Sequence, residues 1–407
     1  MRNLKQIQFN YNPTPIAVGK LRKLFSHFKH IKFGKSYITI METICFNGGQ
    51  ILATDFETSI LLKCAFFTGS GCIGSKTILD TIKNCSKDDL LFIVFKDDRA
   101  EIYVNDKLFI SVGIEPVNDF PLLCPYLFDN QFFITSANVD FTPLSSSIGK
   151  DDTRVAMKHI KFGKGYAVST DAQVLKWIPT EYKGDDLLLP TFYSKLSGNF
   201  DFYISQYSME VEEIISVPIE RDYEEEEETE FIDKIQKKTI QGNYLISDFN
   251  NECVIITKVC ESNYPDWTAV VPTDNPYSIV VETSILKDAI KKVSICSNKY
   301  KEQVIFTIKG LILNVSAFDE DRNVSASVDI PLFHNSESEP KQIGFNWKYI
   351  LSNMDDRKTT EITYSTPNRA TIWNKNMLIM PIGISEETKK ENRDLQHTEI
   401  EEVIGSH

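Results

Sequence analysis

Gly69, Gly71 and Gly74, followed by Ser75-Lys76-Thr77 and preceded by an apolar run, have the residue types of a phosphate-binding loop. Such a loop needs Lys directly after the last Gly, so that backbone amides and ammonium converge on the same phosphates. Ser75 intervenes here, no strand ending in a magnesium-binding Asp follows, and the surroundings are β-rich. The segment therefore reads as a helix start with Ser75 as its cap. His27 and His30 lie one helical turn apart, but among lysines and without the third protein ligand that zinc requires, so they read as a solvated helix face. Asp319-Glu320-Asp321 opens like a calcium loop, yet Val324 stands where the sharp turn needs Gly and Ile330 where a Glu closes the cage. The eight Cys contain no C-x-x-C pair and are expected to be reduced and mostly buried. No Ser-His-Asp or Cys-His arrangement stands out. The reading assigns no catalytic residue, no metal and no cofactor, and expects a protein that is not an enzyme.

The elements around these residues are mostly strands. Apolar and β-branched runs at 37–46, 51–67, 90–95, 108–114, 165–178, 253–259, 304–308, 311–315 and 376–382 are punctuated by turn residues such as Asn47-Gly48-Gly49 and Lys309-Gly310. This is the pattern of antiparallel strands joined by hairpins. Helical period appears in six segments, 17–30, 75–86, 138–149, 190–198, 284–298 and 345–354, two in each third of the chain. With 407 residues, 42% of them hydrophobic and 25% charged, the chain is long enough for several ordinary globular domains. It has no apolar run long enough to cross a membrane as a helix and no signal core after Met1-Arg2-Asn3, so a cytoplasmic location is expected.

The thirds echo one another. Leu52-Ala53-Thr54-Asp55 recurs as Val168-Ser169-Thr170-Asp171, 116 residues on, whereas Asn118-Asp119-Phe120-Pro121 recurs as Ser262-Asn263-Tyr264-Pro265-Asp266, 144 residues on. The second unit is thus 28 residues longer, and the excess falls at 219–242, which holds Glu224 to Glu228 and Glu230. A block of like charge repels itself and cannot bury itself. It is expected to be a mobile loop between two strands, with an acidic patch that mimics nucleic acid or docks a basic partner as the other reading.

The chain's net charge is −13. With their flanking residues, as 17–32, 75–87, 138–150, 189–199, 284–301 and 345–354, the six helical segments together carry +13, which leaves −26 on the rest, a basic set of helices on an acidic β framework. Lys20, Arg22, Lys23, Lys83, Lys287, Lys291 and Lys292, on one surface, would neutralise phosphates without reading bases. Lysine-rich solvent faces are the plainer alternative.

Three tandem units of two helices and many strands carry Thr54-Asp55 and Thr170-Asp171 in strand contexts and Phe120-Pro121 and Tyr264-Pro265-Asp266-Trp267 at unit ends. With Ile343-Gly344-Phe345-Asn346 opening the last helix and Leu378-Ile379-Met380-Pro381-Ile382 near the C-terminus, the chain resembles the bacterial DNA polymerase III β subunit family, the sliding clamps, over about residues 1 to 384. The resemblance implies an α+β fold, the DNA clamp fold, with three tandem similar domains, each of two helices packed on antiparallel sheets. The boundaries expected are 1–128, 129–272 with the acidic insertion, and 273–384, followed by a charged tail, 385–407.

What the family implies for function is a head-to-tail homodimeric ring around duplex DNA, bound without sequence preference. It tethers the polymerase, the clamp loader and repair proteins through short apolar peptides, with no membrane partner. A clamp-derived scaffold or sequestering protein that forms no ring is the alternative. The DNA face would comprise Lys20, Arg22, Lys23, Lys83, Lys150, Lys195, Lys287, Lys291, Lys292 and Lys348. The dimer contact would pair Phe109, Ile110 and Val112 with Ile295 and Cys296. Carried over residue by residue, the peptide pocket would be Met157, Thr170, Ala172, Gln173, Val174, Leu175, Pro265, Val270, Leu378, Ile379, Met380, Pro381 and Ile382. The family pattern Thr-Asp-Gly-His-Arg-Leu reads Thr170-Asp171-Ala172-Gln173-Val174-Leu175 here, and Arg is absent at Ala269 and Gly383. The tail, with Leu395, Ile400, Val403 and Ile404, reads as disordered, and an alternative has it folding back over the adjacent pocket.

Overall fold

The computed structural model describes residues 14–31, 33, 39–55, 57–64, 66–121, 131–218, 231–337, 339 and 341–385. The acidic run 224–228 and the tail beyond Ser385 lie outside the described residues. The chain forms two compact units, one of residues 1–139 with 197–259 and one of residues 140–196 with 260–407.

In the first unit, α1 (Val18–Phe25) runs on as a 3-10 segment to His30, and α2 (Ser75–Asn84) follows the short strand Gly71–Gly74. Both helices are amphipathic. Val18, Leu21, Leu24 and Phe25 of α1 and Ile78, Thr81 and Ile82 of α2 are buried at the spacing of one helical face. Phe25 and Phe28 pack edge to face at 5.2 Å, and Phe46 and Phe67 do the same at 5.2 Å, which fills the space under the helices with aromatic rings. Ser75 is the first residue of α2 and not its cap. Gly74 holds the capping position with no side-chain hydrogen bond, and Ser75 is buried.

A small sheet of this unit ends on the strand Lys107–Gly113, which among the described residues pairs on one side only, with Arg99–Val104. The larger sheet runs from Gln131–Asp140 through Ser197–Pro218, Phe231–Phe249, Cys253–Lys258, Thr58–Lys63, Gln50–Thr54 and Thr43–Asn47 to Gly71–Gly74. The loop expected across 219–242 is shorter than that. Residues 231–242 are already strand, in unbroken register from Phe200↔Phe249 to Pro218↔Phe231. The β-branched residues on both sides of the acidic run suit a ladder that satisfies its own backbone groups.

In the second unit, α3 (Thr283–Ser294) buries Leu286, Ala289, Ile290 and Val293, and α4 (Trp347–Asn353) is capped by Asn346, whose side chain accepts from the Lys348 amide. Ile343-Gly344-Phe345 is therefore the strand leading into this helix, Lys341–Asn346, and not its first turn. Phe306, Phe345 and Trp373 close the core, with Phe345 and Trp373 at 5.7 Å. A sheet of this unit begins with the strand Leu187–Pro190 and continues through His159–Gly163, Tyr166–Thr170 and Val174–Pro179 into Met377–Ile379. The second sequence repeat thus supplies strands to both units: Cys253–Lys258 pairs with Thr58–Lys63 in the first, and Val174–Pro179 pairs with Met377–Ile379 in the second.

The helical segments expected at 138–149 and 190–198 are only the 3-10 turns Thr142–Ser147 and Thr191–Lys195. Ser145 and Ser147 donate to the carbonyls of Thr142 and Leu144, at 2.9 and 3.2 Å, and Ser194 donates to that of Thr191 at 2.6 Å. Hydroxyls that bond three residues back favour the tight turn over a continued α-helix, and Pro143 removes a further amide donor.

Candidate peptide-binding site and nucleic-acid interface

The turn Thr170–Val174 sets up the candidate peptide site. Asp171 Oδ1 accepts from the amides of Gln173 (2.9 Å) and Val174 (2.7 Å), and Thr170 Oγ1 donates to the Val174 carbonyl at 2.8 Å. The chain folds back through Ala172 at φ +77°, a left-handed conformation that suits Gly better than Ala. The returning strand pairs with the C-terminal strand, Val174↔Ile379, Leu175↔Leu378 and Lys176↔Met377, and the Met380 amide donates to the Gln173 carbonyl at 2.9 Å.

Alternation along these strands sorts the expected pocket residues into two faces. Leu175 and Leu378, 3% and 2% exposed, belong to a buried cluster with Val168 and Ala370, onto which half-buried Trp177, Trp267, Val271, Ile372 and Met380 pack. Trp177 and Trp267 lie 5.9 Å apart, and Trp177 also lines a cleft of about 320 Å³, walled by Val271, Ile372 and Thr363 with Glu361 and Lys375 among its polar residues. Val174 and Ile379, of the expected lining, lie on the other face of these strands, fully buried in a different core cluster. A one-residue step along a strand reverses the face, so neighbours of a pocket residue are core by default. Thr170 is buried within the turn, Ala172 and Gln173 are exposed, and Met157 packs against Gly149. Pro265 and Val270 are exposed, Pro381 is half-buried, and the Ile382 amide donates to the Gly344 carbonyl at 2.8 Å. Only Gly fits at 344, because a Cβ there would stand 2.6 Å from the Ile382 carbonyl oxygen. Trp177, Val271 and Ile372 were not singled out from the sequence. Trp177 was readable as the i+2 partner of Leu175.

On the opposite face of the same strand, Lys176 is largely buried, its Nζ donating to Ser146 Oγ (3.0 Å) and to the Asn353 carbonyl (2.9 Å). Burial is the main cause that lowers its pKa to about 8, against the attraction of Asp355.

The expected DNA-facing cations differ in what they do. Lys20, Lys23, Lys83, Lys150, Lys195, Lys291 and Lys292 are exposed. Arg22 instead reaches from α1 to the end of α2, donating to the carbonyls of Ile82 (3.0 Å), Lys83 (2.9 Å) and Cys85. A guanidinium at a helix C-terminus satisfies orphan carbonyls and opposes the negative end of the dipole, so Arg22 is committed to joining the two helices. Lys287 pairs with Asp356 at 2.8 Å, and Lys348 with Glu302. The charge of each is partly answered within the chain.

The candidate dimer contact also has two parts. On the edge strand Lys107–Gly113, Leu108 and Phe109 are exposed and Ile110 and Val112 are half-buried. In the second unit Ile295 is 74% exposed just past α3, with Cys296 half-buried beside it, and Arg322 donates to the carbonyls of Ile295 and Ser297 at 3.3 and 3.0 Å. The adjacent strand Val324–Asn335 pairs through Val324–Pro331 with Ile312–Asp319 and through Leu332–Asn335 with Tyr277–Glu282, so that among the described residues Val324–Asp329 has an open edge. An open edge invites another strand.

Asp319 of the calcium-like triplet accepts from Arg322 Nε at 2.5 Å and from the Asp321 amide at 3.1 Å, so the triplet closes a hairpin turn. Among the described residues no group of three His, Cys, Asp or Glu could hold a metal ion, and no helix is long and apolar enough to cross a membrane.

The family model that describes the C-terminal domain of the DNA polymerase III beta subunit matches residues 268–376. A β sliding clamp of Haemophilus influenzae is 22% identical over 317 residues, 77% of this chain and 80% of that one, and one of Rickettsia felis is 23% identical over 298 residues, 69% and 72%. Among solved structures, sliding clamps of Bartonella birtlesii and Pseudomonas aeruginosa, each bound to griselimycin, superpose with TM-scores of 0.70 and 0.69. Each match covers 91% of this chain and 99% of the other, at 17% and 14% identity. The chain has the clamp fold, and the family model, the relatives and the solved structures all point to one family, the bacterial β sliding clamps.

Proposed function

We propose that this chain is a non-catalytic DNA sliding clamp, the processivity factor of a bacterial replicative polymerase. Two copies close a ring around duplex DNA, and the ring tethers the polymerase and other clamp-binding proteins. The observation that carries this reading is the extent of the fold match, which takes in 99% of the length of each of two solved clamp chains. Its three domains follow the repeat, at 1–128, 129–272 and 273–384, and the protein works in the cytoplasm.

The physical logic is a division of labour. Exposed lysines on the helices hold phosphates loosely while the acidic remainder of the chain repels DNA, so topology and not tight contact keeps the ring in place. The edge strand Lys107–Gly113 of one copy meets the open edge Val324–Asp329 of the other, with Phe109, Ile110 and Val112 against Ile295 and Cys296, which removes both free edges. Partner peptides place Leu or Phe side chains against Leu175, Leu378 and Met380, with Trp177 and Trp267 extending the apolar wall. The arginines of the family pattern are missing at Val174, Ala269 and Gly383, so recognition rests on shape and on the adaptable Met380 thioether.

The test is retention on DNA of different topology. Protein assembled by a clamp loader on nicked circular DNA stays bound through gel filtration at a salt concentration that strips point contacts, and leaves when the circle is cut. Equal loss from circular and linear DNA would overturn the ring and favour a scaffold that binds partner peptides without encircling DNA.

A further inference from the structure

Cys45, in the strand Thr43–Asn47, stands directly opposite Cys72, in the strand Gly71–Gly74. Opposed residues of an antiparallel pair point to the same face with Cα atoms about 4.5 to 5.5 Å apart, within the roughly 4.4 to 6.8 Å that a disulfide spans. Both side chains lie in one buried apolar cluster, at 0% and 1% exposure. A hydrogen bond with the Cys45 thiol, outweighing burial, holds the Cys72 thiol below the usual range, which favours the nucleophilic thiolate. Cys253 is the contrast: it faces Leu62 and Phe249 across its ladders, and burial pushes its thiol up to about 12.

The position also allows access. Among the described residues Gly71–Gly74 is the last strand of its sheet; beyond it Cys72 is bridged to Glu115, with amide-to-carbonyl bonds of 2.9 and 3.0 Å in the two directions, and its thiol donates to the Pro116 carbonyl at 3.9 Å. Local opening of the segment 115–120, whose Val117 and Phe120 pack on the same cluster, gives a small oxidant its way to the pair while the sheet stays paired.

We propose that Cys45 and Cys72 are an oxidisable dithiol, a site at which a small hydroperoxide acts on this chain to close a reversible cross-strand disulfide. The Cys72 thiolate attacks a peroxide oxygen, the O–O bond breaks, and the leaving oxygen takes up a proton, which gives a sulfenic acid and water or an alcohol. Cys45 then attacks that sulfur, the S–S bond forms, the S–O bond breaks, and the hydroxide departs as water with the Cys45 proton. Two electrons pass from the two sulfurs to the peroxide. The product fastens the strand that leads directly into α2.

The test exposes the full-length native protein to hydrogen peroxide, quenches with acid, alkylates remaining thiols in denaturant and maps the peptides by mass spectrometry. The expected result is a linked Cys45–Cys72 peptide that forms before any other disulfide, reverts with dithiothreitol, and is missing from Cys45→Ala and Cys72→Ala. The wild-type map decides the matter by itself if either variant fails to fold. Both cysteines recovered as alkylated thiols after the half-buried Cys296 has been oxidised would overturn the proposal, as would Cys72 found only as an irreversible sulfinic acid or linked to another cysteine.

Discussion

Replacing Lys176 with Met tests the electrostatics of the strand that carries the peptide site. The Lys176 ammonium is held by Ser146 Oγ and the Asn353 carbonyl, yet burial lowers its pKa to about 8, against 10.5 for a free lysine. As pH rises, the folded protein therefore releases this proton first, and between about pH 8 and 10.5 the unfolded chain binds more protons than the native one. Stability contributed by this group must rise with pH across that window. From pH 7 to pH 9 the native state gains about 1.3 kcal/mol from the deprotonation, and the unfolded state gains almost nothing. Other thiols and phenols titrate in the same range, so the quantity to read is the difference between wild type and Lys176→Met. Urea denaturation of both proteins at pH 7, 8 and 9 should show the wild type gaining about 1.3 kcal/mol on the variant. Parallel curves would mean that Lys176 titrates as an exposed amine, and the argument from its burial would be wrong.

Ala172→Gly should raise the stability of the protein by about 1 kcal/mol in urea, because it relieves a left-handed alanine, and an unchanged midpoint would show that the turn stores no strain. Met380→Ala should weaken binding of a short Leu/Phe-containing polymerase peptide about tenfold by fluorescence anisotropy, whereas an unchanged Kd would move the site off this cluster. Lys291→Glu combined with Lys292→Glu should lower affinity for duplex DNA and flatten the dependence of log K on log salt by about 2, measured by filter binding, and a wild-type slope would remove α3 from the DNA face. Ile110→Asp should shift the dimer towards monomers in light scattering, and a wild-type mass at micromolar concentration would count against the edge Lys107–Gly113 as the interface.

Much of the fold was legible where one physical requirement dictates one residue type. The repeated Thr-Asp pair was legible as a repeat, but the apolar runs 165–178 and 51–67 read as continuous strands, whereas each pair heads a turn that splits its run in two: Asp171 accepts from the Gln173 and Val174 amides, and Asp55 from the Glu57 and Thr58 amides at 3.2 and 2.8 Å. The spacing of Leu286, Ala289, Ile290 and Val293 identified α3 because an amphipathic helix leaves no other periodicity. Legibility failed where two local preferences compete. At 142–147 and 191–195 the apolar spacing is helical, but serine hydroxyls take the carbonyls that a helix would need. Arg22 counted as a phosphate-neutralising charge in the sequence, and only the approach of α1 to α2 shows that its guanidinium is spent on the carbonyls of Ile82, Lys83 and Cys85. The pocket was half legible for a related reason. Leu175 and Leu378 lie in the cluster under Trp177, Trp267 and Met380 while Val174 and Ile379 lie in the core on the other face, and nothing in an unbroken apolar run distinguishes the two faces until the pairing is known.

The most direct test of the account is the solution mass of the full-length protein by light scattering at low micromolar concentration. A closed ring requires two copies, so the account predicts a stable species at twice the 46.5 kDa chain mass. A mass equal to that of one chain, unchanged as concentration rises, would contradict it.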